Sequence, residues 1–165
     1  MSGSKSKIKG SSWERDVAKD LTSFYNEPFT RTAHSGAFIG GQNSVRKTSL
    51  GNNQIKSYKG DIFPPDTWEH FNSECKSYAK FSFTSLFEGE CKQLDTWISQ
   101  VRDTASEGDF NIIFIKITRQ GKWVVFEEKT GIKVNNSIDY KGWVFCSWNN
   151  FWTEENKEKV KQLSK

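Results

Sequence analysis

Between Ser11 and Tyr25 the apolar residues Trp13, Val17, Leu21 and Phe24 recur at helical spacing with polar residues between them, which predicts an amphipathic helix. Ser11 followed by Glu14 has the form of a capping box, and Pro28 marks the exit. Phe29 to Ala33 is short and partly alternating, predicting a first strand that ends near His34-Ser35-Gly36. Asp61-Ile62-Phe63 predicts a short strand stopped by Pro64-Pro65, and Phe71 to Phe83 a longer strand region; the two are expected to pair as a hairpin. From Glu90 to Ala105, Leu94, Trp97, Ile98, Val101 and Ala105 share one face of a second helix, which Glu107-Gly108-Asp109 ends. Phe110 to Ile117 is nearly all apolar, as a central strand covered on both faces should be. GKWVVFEE follows the turn at Arg119-Gln120-Gly121 as its neighbour. Trp143 to Trp148 predicts one more strand, and Phe151 to Leu163 a terminal helix capped by Asn149 or Asn150.

That order is a helix, three strands, a helix and two strands before an aromatic-rich tail, the order of an α/β or α+β sheet domain. At 165 residues one domain is expected. It would carry a basic arm at 1–10, a basic Gly/Asn-rich insertion at 36–59 and an aromatic-rich extension at 129–165. Only 35% of the residues are hydrophobic, but seven Trp, four Tyr and thirteen Phe let a few large side chains do most of the burying. That load argues against a disordered chain. No apolar run approaches the roughly 20 residues of a membrane span, and MSGSKSKIKGSS lacks the apolar stretch of a secretory signal. An intracellular, cytoplasmic protein with no membrane partner is expected. Cys75, Cys91 and Cys146 are odd in number and widely spaced, against both a disulfide framework and a zinc site.

The net charge of +4 permits an anionic partner without demanding one; its distribution says more. Lys5, Lys7 and Lys9 precede the first acid, Glu14, in an arm that could track phosphates or simply be solvated. Gly36 to Lys59 holds Arg46, Lys47, Lys56 and Lys59 against no acid, a long basic loop that either contacts nucleic acid or is an uninvolved insertion.

Asp61, Glu74 and Lys76 are the candidates for chemistry. Period two puts Glu74 and Lys76 on one face of their strand, and if the short strand pairs with it, Asp61 can face the same way. Two carboxylates beside a Lys make a hard-oxygen site for Mg²⁺, with Mn²⁺ able to substitute, suited to phosphodiester hydrolysis. Lys76 would orient the attacking water or stabilise developing charge. The bland alternative is a solvated strand face, but Phe71, Tyr78 and Phe81 flank the segment and make solvated charges there less natural. A second Glu-Cys-Lys, at Glu90 to Lys92, opens a helix, where i and i+2 point apart, and is rejected. Gln93 and Gln100 in that helix could reach the site or the DNA backbone, and surface polar residues are the simpler reading. His34 and His70 are the only histidines and neither has a partner at ligand spacing, which argues against a His-rich metal-finger nuclease.

Through KGSSWERDVAKDL, RTAHSG, KGDIF and ECKSYAKFSF, in that order over about residues 9 to 128, the chain resembles the PD-(D/E)XK nuclease superfamily. Within it the likeness is to archaeal-type Holliday junction resolvases and their phage-borne relatives. The resemblance implies an α/β, restriction-endonuclease-like core with a mixed central sheet. It implies Asp61 and Glu74 as Mg²⁺ ligands, the Cys75 carbonyl as a further ligand and Lys76 as the catalytic lysine. Glu14 would complete the acidic cluster, although the capping box explains that residue equally; Ser35 matches a functional serine of the resolvases. DNA contacts are expected from Lys5, Lys7, Lys9, Arg31, His34, Arg46, Lys47, Lys56 and Lys59. A homodimer is implied, as is the host cytoplasm if the protein is phage-encoded. The expected activity is a structure-specific DNA endonuclease, most of all a four-way junction resolvase. A sequence-specific restriction-type or mobile-element endonuclease and a non-catalytic DNA-binding module are the alternatives.

Overall fold

A computed structural model describes residues 2–32 and 59–165, with the backbone alone described before Lys9. Helix α1 (Ser2–Tyr25) leads into β1 (Thr30–Arg31), and β2 (Ile62–Phe63) precedes β3 (Phe71–Tyr78). Helices α2 (Phe83–Glu88) and α3 (Lys92–Thr104) come next, followed by β4 (Phe110–Ile117), β5 (Gly121–Glu127), β6 (Ile138–Tyr140) and β7 (Trp143–Ser147). Two short helices, α4 (Trp148–Phe151) and α5 (Glu154–Ser164), close the chain.

The central sheet has five strands in the order β3-β4-β5-β7-β6. It is mixed: β3 runs parallel to β4, and every other neighbour is antiparallel. One face carries α1 and the C-terminal helices over Ile112, Phe114 and Phe126, where Trp13, Val17, Leu21, Trp148 and Phe151 pack. The other carries α3 over Ile113, Ile115 and Val125, where Leu94, Trp97, Val101 and Phe145 pack. Cover on both faces is why β4 reads as an unbroken apolar run. The sheet and its two helical layers are the α/β core with a mixed central sheet that the sequence predicts.

Several local expectations are corrected. The capping box does not form, because α1 begins at Ser2 and Ser11 lies inside the helix. Gly10, in a Ser/Lys-rich stretch, costs only about 1 kcal/mol and does not stop it. β2 and β3 do not make a hairpin ladder: β2 pairs antiparallel with β1, and β3 takes β4 as its partner. Pro64 and Pro65 lack the N–H groups that a longer β2 would need. The expected strand from Phe71 to Phe83 ends at Tyr78, and the aromatic residues beyond it start α2, which Gly89 ends in a left-handed conformation (φ 78°). Ser147 and Thr153, rather than Asn149 or Asn150, cap two terminal helices, accepting from the N–H groups of Asn150 (3.2 Å) and Asn156 (3.1 Å).

Candidate active site

Strand β3 is an edge strand: β4 occupies one side of it, and the other side receives the segment from Lys59 to Asp61. Asp61 N–H donates to the Ser73 carbonyl (2.8 Å), and the Asp61 carbonyl accepts from Thr32 N–H (3.0 Å). Gly60 makes this approach possible. Its φ is +67°, and a Cβ there would sit 2.6 Å from the Ser73 carbonyl oxygen. So placed, the Asp61 carboxylate accepts from the Cys75 N–H (2.7 Å). An extended residue sends its N–H and its C=O to the same side, so the Cys75 carbonyl also faces this edge.

Glu74 and Lys76, one step to either side, project toward α3. Lys76 Nζ donates to Glu74 Oε1 (2.8 Å) and to the Gln100 side-chain oxygen on α3. From the opposite face of the sheet α1 supplies Glu14, which is ion-paired with Arg31 of β1. Three carboxylates from three elements therefore surround one strand edge, with Lys76 and Arg31 as the cations beside them.

Asp61 is only 3% exposed, and Glu14 and Glu74 are buried as well. Burial holds the Asp61 carboxyl well above the usual carboxylate range; the charge of Glu74 adds to this, while the Cys75 N–H opposes it. Burial raises Glu74 too, against the pull of Lys76. The Cys75 thiol is pushed well up by burial first and then by the three carboxylates, which leaves it protonated at neutral pH and unfit as a nucleophile. A buried group of acids whose charged forms are short of partners is suited to a cation. The donors are all oxygen, which fits a hard ion. Among the described residues no three His, Cys, Asp or Glu side chains could together hold a metal ion. With Glu14 ion-paired to Arg31, a cation here would be held by Asp61, Glu74 and a backbone carbonyl, and Mg²⁺ would complete such a set with water.

The family described as "Phage putative PDDEXK endonuclease" matches residues 5–162. The chain belongs to this endonuclease family. No curated protein and no solved structure matches it.

Other residues singled out from the sequence of this family member fall elsewhere. Ser35, His34, Arg46, Lys47 and Lys56 lie outside the described residues, as do the side chains of Lys5 and Lys7. Lys9 is exposed on α1. Lys59 is not available to DNA: its side chain is 6% exposed and ion-paired with the buried Asp109. A basic run in the sequence did not reveal that pairing. The second Glu-Cys-Lys lies away from the β3 edge, with Glu90 79% exposed at the side chain and facing Lys141. Gln100 is the residue that the sequence undervalued. It belongs with the site because α3 crosses β3 at Lys76; the only sequence signal is its place one helical turn beyond the buried Trp97.

Proposed function

We propose that this phage-family endonuclease is a Mg²⁺-dependent, structure-specific DNA endonuclease that cuts four-way junctions. The observation that carries the chemistry is the meeting of buried Asp61 and Glu74 at the open edge of β3, with Lys76 held between Glu74 and Gln100. Mg²⁺, with Mn²⁺ as a substitute, would be held by Asp61, Glu74 and the Cys75 carbonyl, and when bound supplies Lewis-acid polarisation of a phosphate oxygen and a lowered pKa for water. The remaining work belongs to the side chains. Asp61 is locked in position by the Cys75 N–H before any ligand arrives, so no reorganisation is needed on binding. Lys76 presents a fixed ammonium that orients the attacking water and stabilises charge on the scissile phosphate. Glu14 and Arg31 together form the wall on the α1 side, and Glu14 deepens the negative potential that draws in the cation.

The four resolvase-like segments support the junction as substrate. A junction requires two symmetric cuts, which a homodimer with two such sites supplies. The family's phage origin supports the host cytoplasm as the place of action. Cleavage of labelled four-way junction, linear duplex and single strand in Mg²⁺ tests the proposal. Paired nicks confined to the junction are expected. Cutting of linear duplex at one fixed sequence would replace it with a restriction-type activity, and binding without any cut would leave a DNA-binding module.

A further inference from the structure

On the α1 face, beyond the end of the catalytic edge, a groove of about 430 Å³ is lined by Lys9, Ser12, Ser77, Lys116, Arg119 and Lys122, together with three residues of the β4–β5 hairpin, none of them acidic. We propose that this groove binds the sugar-phosphate backbone of duplex DNA, holding the substrate where it leaves the active site.

The hairpin breaks two local rules at once. Lys116 and Lys122 stand directly opposite each other across the antiparallel β4–β5 pair, an arrangement of like charges that weakens a sheet. Arg119 has φ 63° at the third position of the turn closed by Gln120 N–H to the Ile117 carbonyl (3.0 Å), where Gly or Asn is the ordinary choice. None of the four cations makes an ion pair among the described residues. No ion pair among the described residues offsets these choices, and conflicts of this kind gather at functional sites.

The amines are also positioned. Trp13 donates its indole N–H to the Phe114 carbonyl (3.0 Å), which fixes α1 against β4 and lays the ring under the groove. Lys116 Nζ and Lys122 Nζ stand 5.8 and 5.6 Å from the centre of that ring, and Lys122 stands 5.7 Å from Trp148. Ser77 is two residues past Cys75 on β3, roughly 7 Å along the same edge. A strand leaving the scissile position along β3 therefore runs between Ser12 and Ser77 and over the paired lysines.

The identity of the polyanion rests on the nuclease reading; the groove itself does not. The test is fluorescence anisotropy of the full-length protein with labelled duplex in EDTA, over about 50 to 200 mM salt. Cleavage by the wild type is scored separately. Removing one cation that neutralises a phosphate should lower the slope of log K on log salt by about 0.9, so the K116Q/R119G/K122Q variant should flatten it by about 2.7 and weaken binding by at least about tenfold. Arg119→Gly alone should lower the slope by about 0.9 while melting no lower than wild type, because Gly suits that turn position. It decides the matter if the triple variant fails to fold. Unchanged affinity and slope in folded variants that still cut DNA would overturn the groove and leave the nuclease standing. Weakened binding in a protein that never cuts would do the reverse.

Discussion

Replacing Asp61 with Asn should stabilise the metal-free protein while abolishing cleavage. Asn presents an amide oxygen to the Cys75 N–H, so the 2.7 Å bond that Asp61 accepts can be retained. What disappears is a carboxyl whose ionised form is disfavoured by burial first and then by the charges of Glu74 and Glu14. Carboxylates within the ~4–6 Å over which like charges shift one another repel by about 3–4 kcal/mol at an effective dielectric of about 20. Lys76 beside Glu74 and the Cys75 N–H offset part of this, leaving a relief on the order of 1–3 kcal/mol. For a chain of this size that raises Tm by roughly 2–12 °C. The assay is thermal melting followed by circular dichroism at about pH 8, first in EDTA and then in excess Mg²⁺. Wild type should gain about 2.7 kcal/mol from Mg²⁺ at a hundredfold excess over Kd, and the Asn variant less than half of that. If Asp61→Asn melts below wild type in EDTA, and both respond equally to Mg²⁺, Asp61 is a structural residue and the reasoning fails.

The raised Asp61 and Glu74 carboxyls set the sign of the pH dependence: the folded state keeps protons that the unfolded chain releases near pH 4. Metal-free stability is therefore greatest in mild acid and is lost as pH rises through the raised folded values, and urea titrations across that range should show it. Rising stability over the same window would contradict the charge arrangement. Lys59→Met leaves Asp109 buried without its cation and should cost about 3–5 kcal/mol in urea unfolding, whereas K59M/D109L should recover much of the deficit; a neutral single mutant would contradict that pairing. Gln100→Ala removes the acceptor that positions Lys76 and should slow single-turnover cleavage about tenfold, or about 1.4 kcal/mol in the barrier, with DNA affinity unchanged and Tm nearly so, because water can replace the acceptor at this exposed position. Gln100→Glu should restore the rate, since it also accepts; a rate that falls only in step with stability would assign Gln100 a structural role.

What the sequence reveals depends on how local the cause is. β4 was legible because burial on both faces writes itself into every position, and α3 because Leu94, Trp97, Ile98 and Val101 form one stripe. β6 was not: it is three residues long and is joined to β7 by Lys141-Gly142, both at positive φ, a hairpin turn with little of the usual Asn-Gly signature. The same division holds at the site. Period two is a local property, and Glu74 and Lys76 share a face as it requires. The approach of Asp61 depends on Gly60 passing the Ser73 carbonyl, and the fate of Lys59 on Asp109, both set by tertiary packing. The paired lysines of the β4–β5 hairpin were visible as residues but not as a pair, since only the strand register sets them opposite each other.

The central claim is that Glu74 and its neighbours cut DNA with a divalent cation, and Glu74→Gln tests it most directly. Single-turnover cleavage of a labelled junction in Mg²⁺ is to be measured beside anisotropy binding of the same junction in EDTA, with a melting curve to confirm the fold. Binding should stay within about twofold of wild type, since Glu74 belongs to the proposed metal site and lies outside the basic groove, while cleavage falls by at least about a hundredfold. A folded variant that binds the junction and cuts it at the wild-type rate would contradict the account.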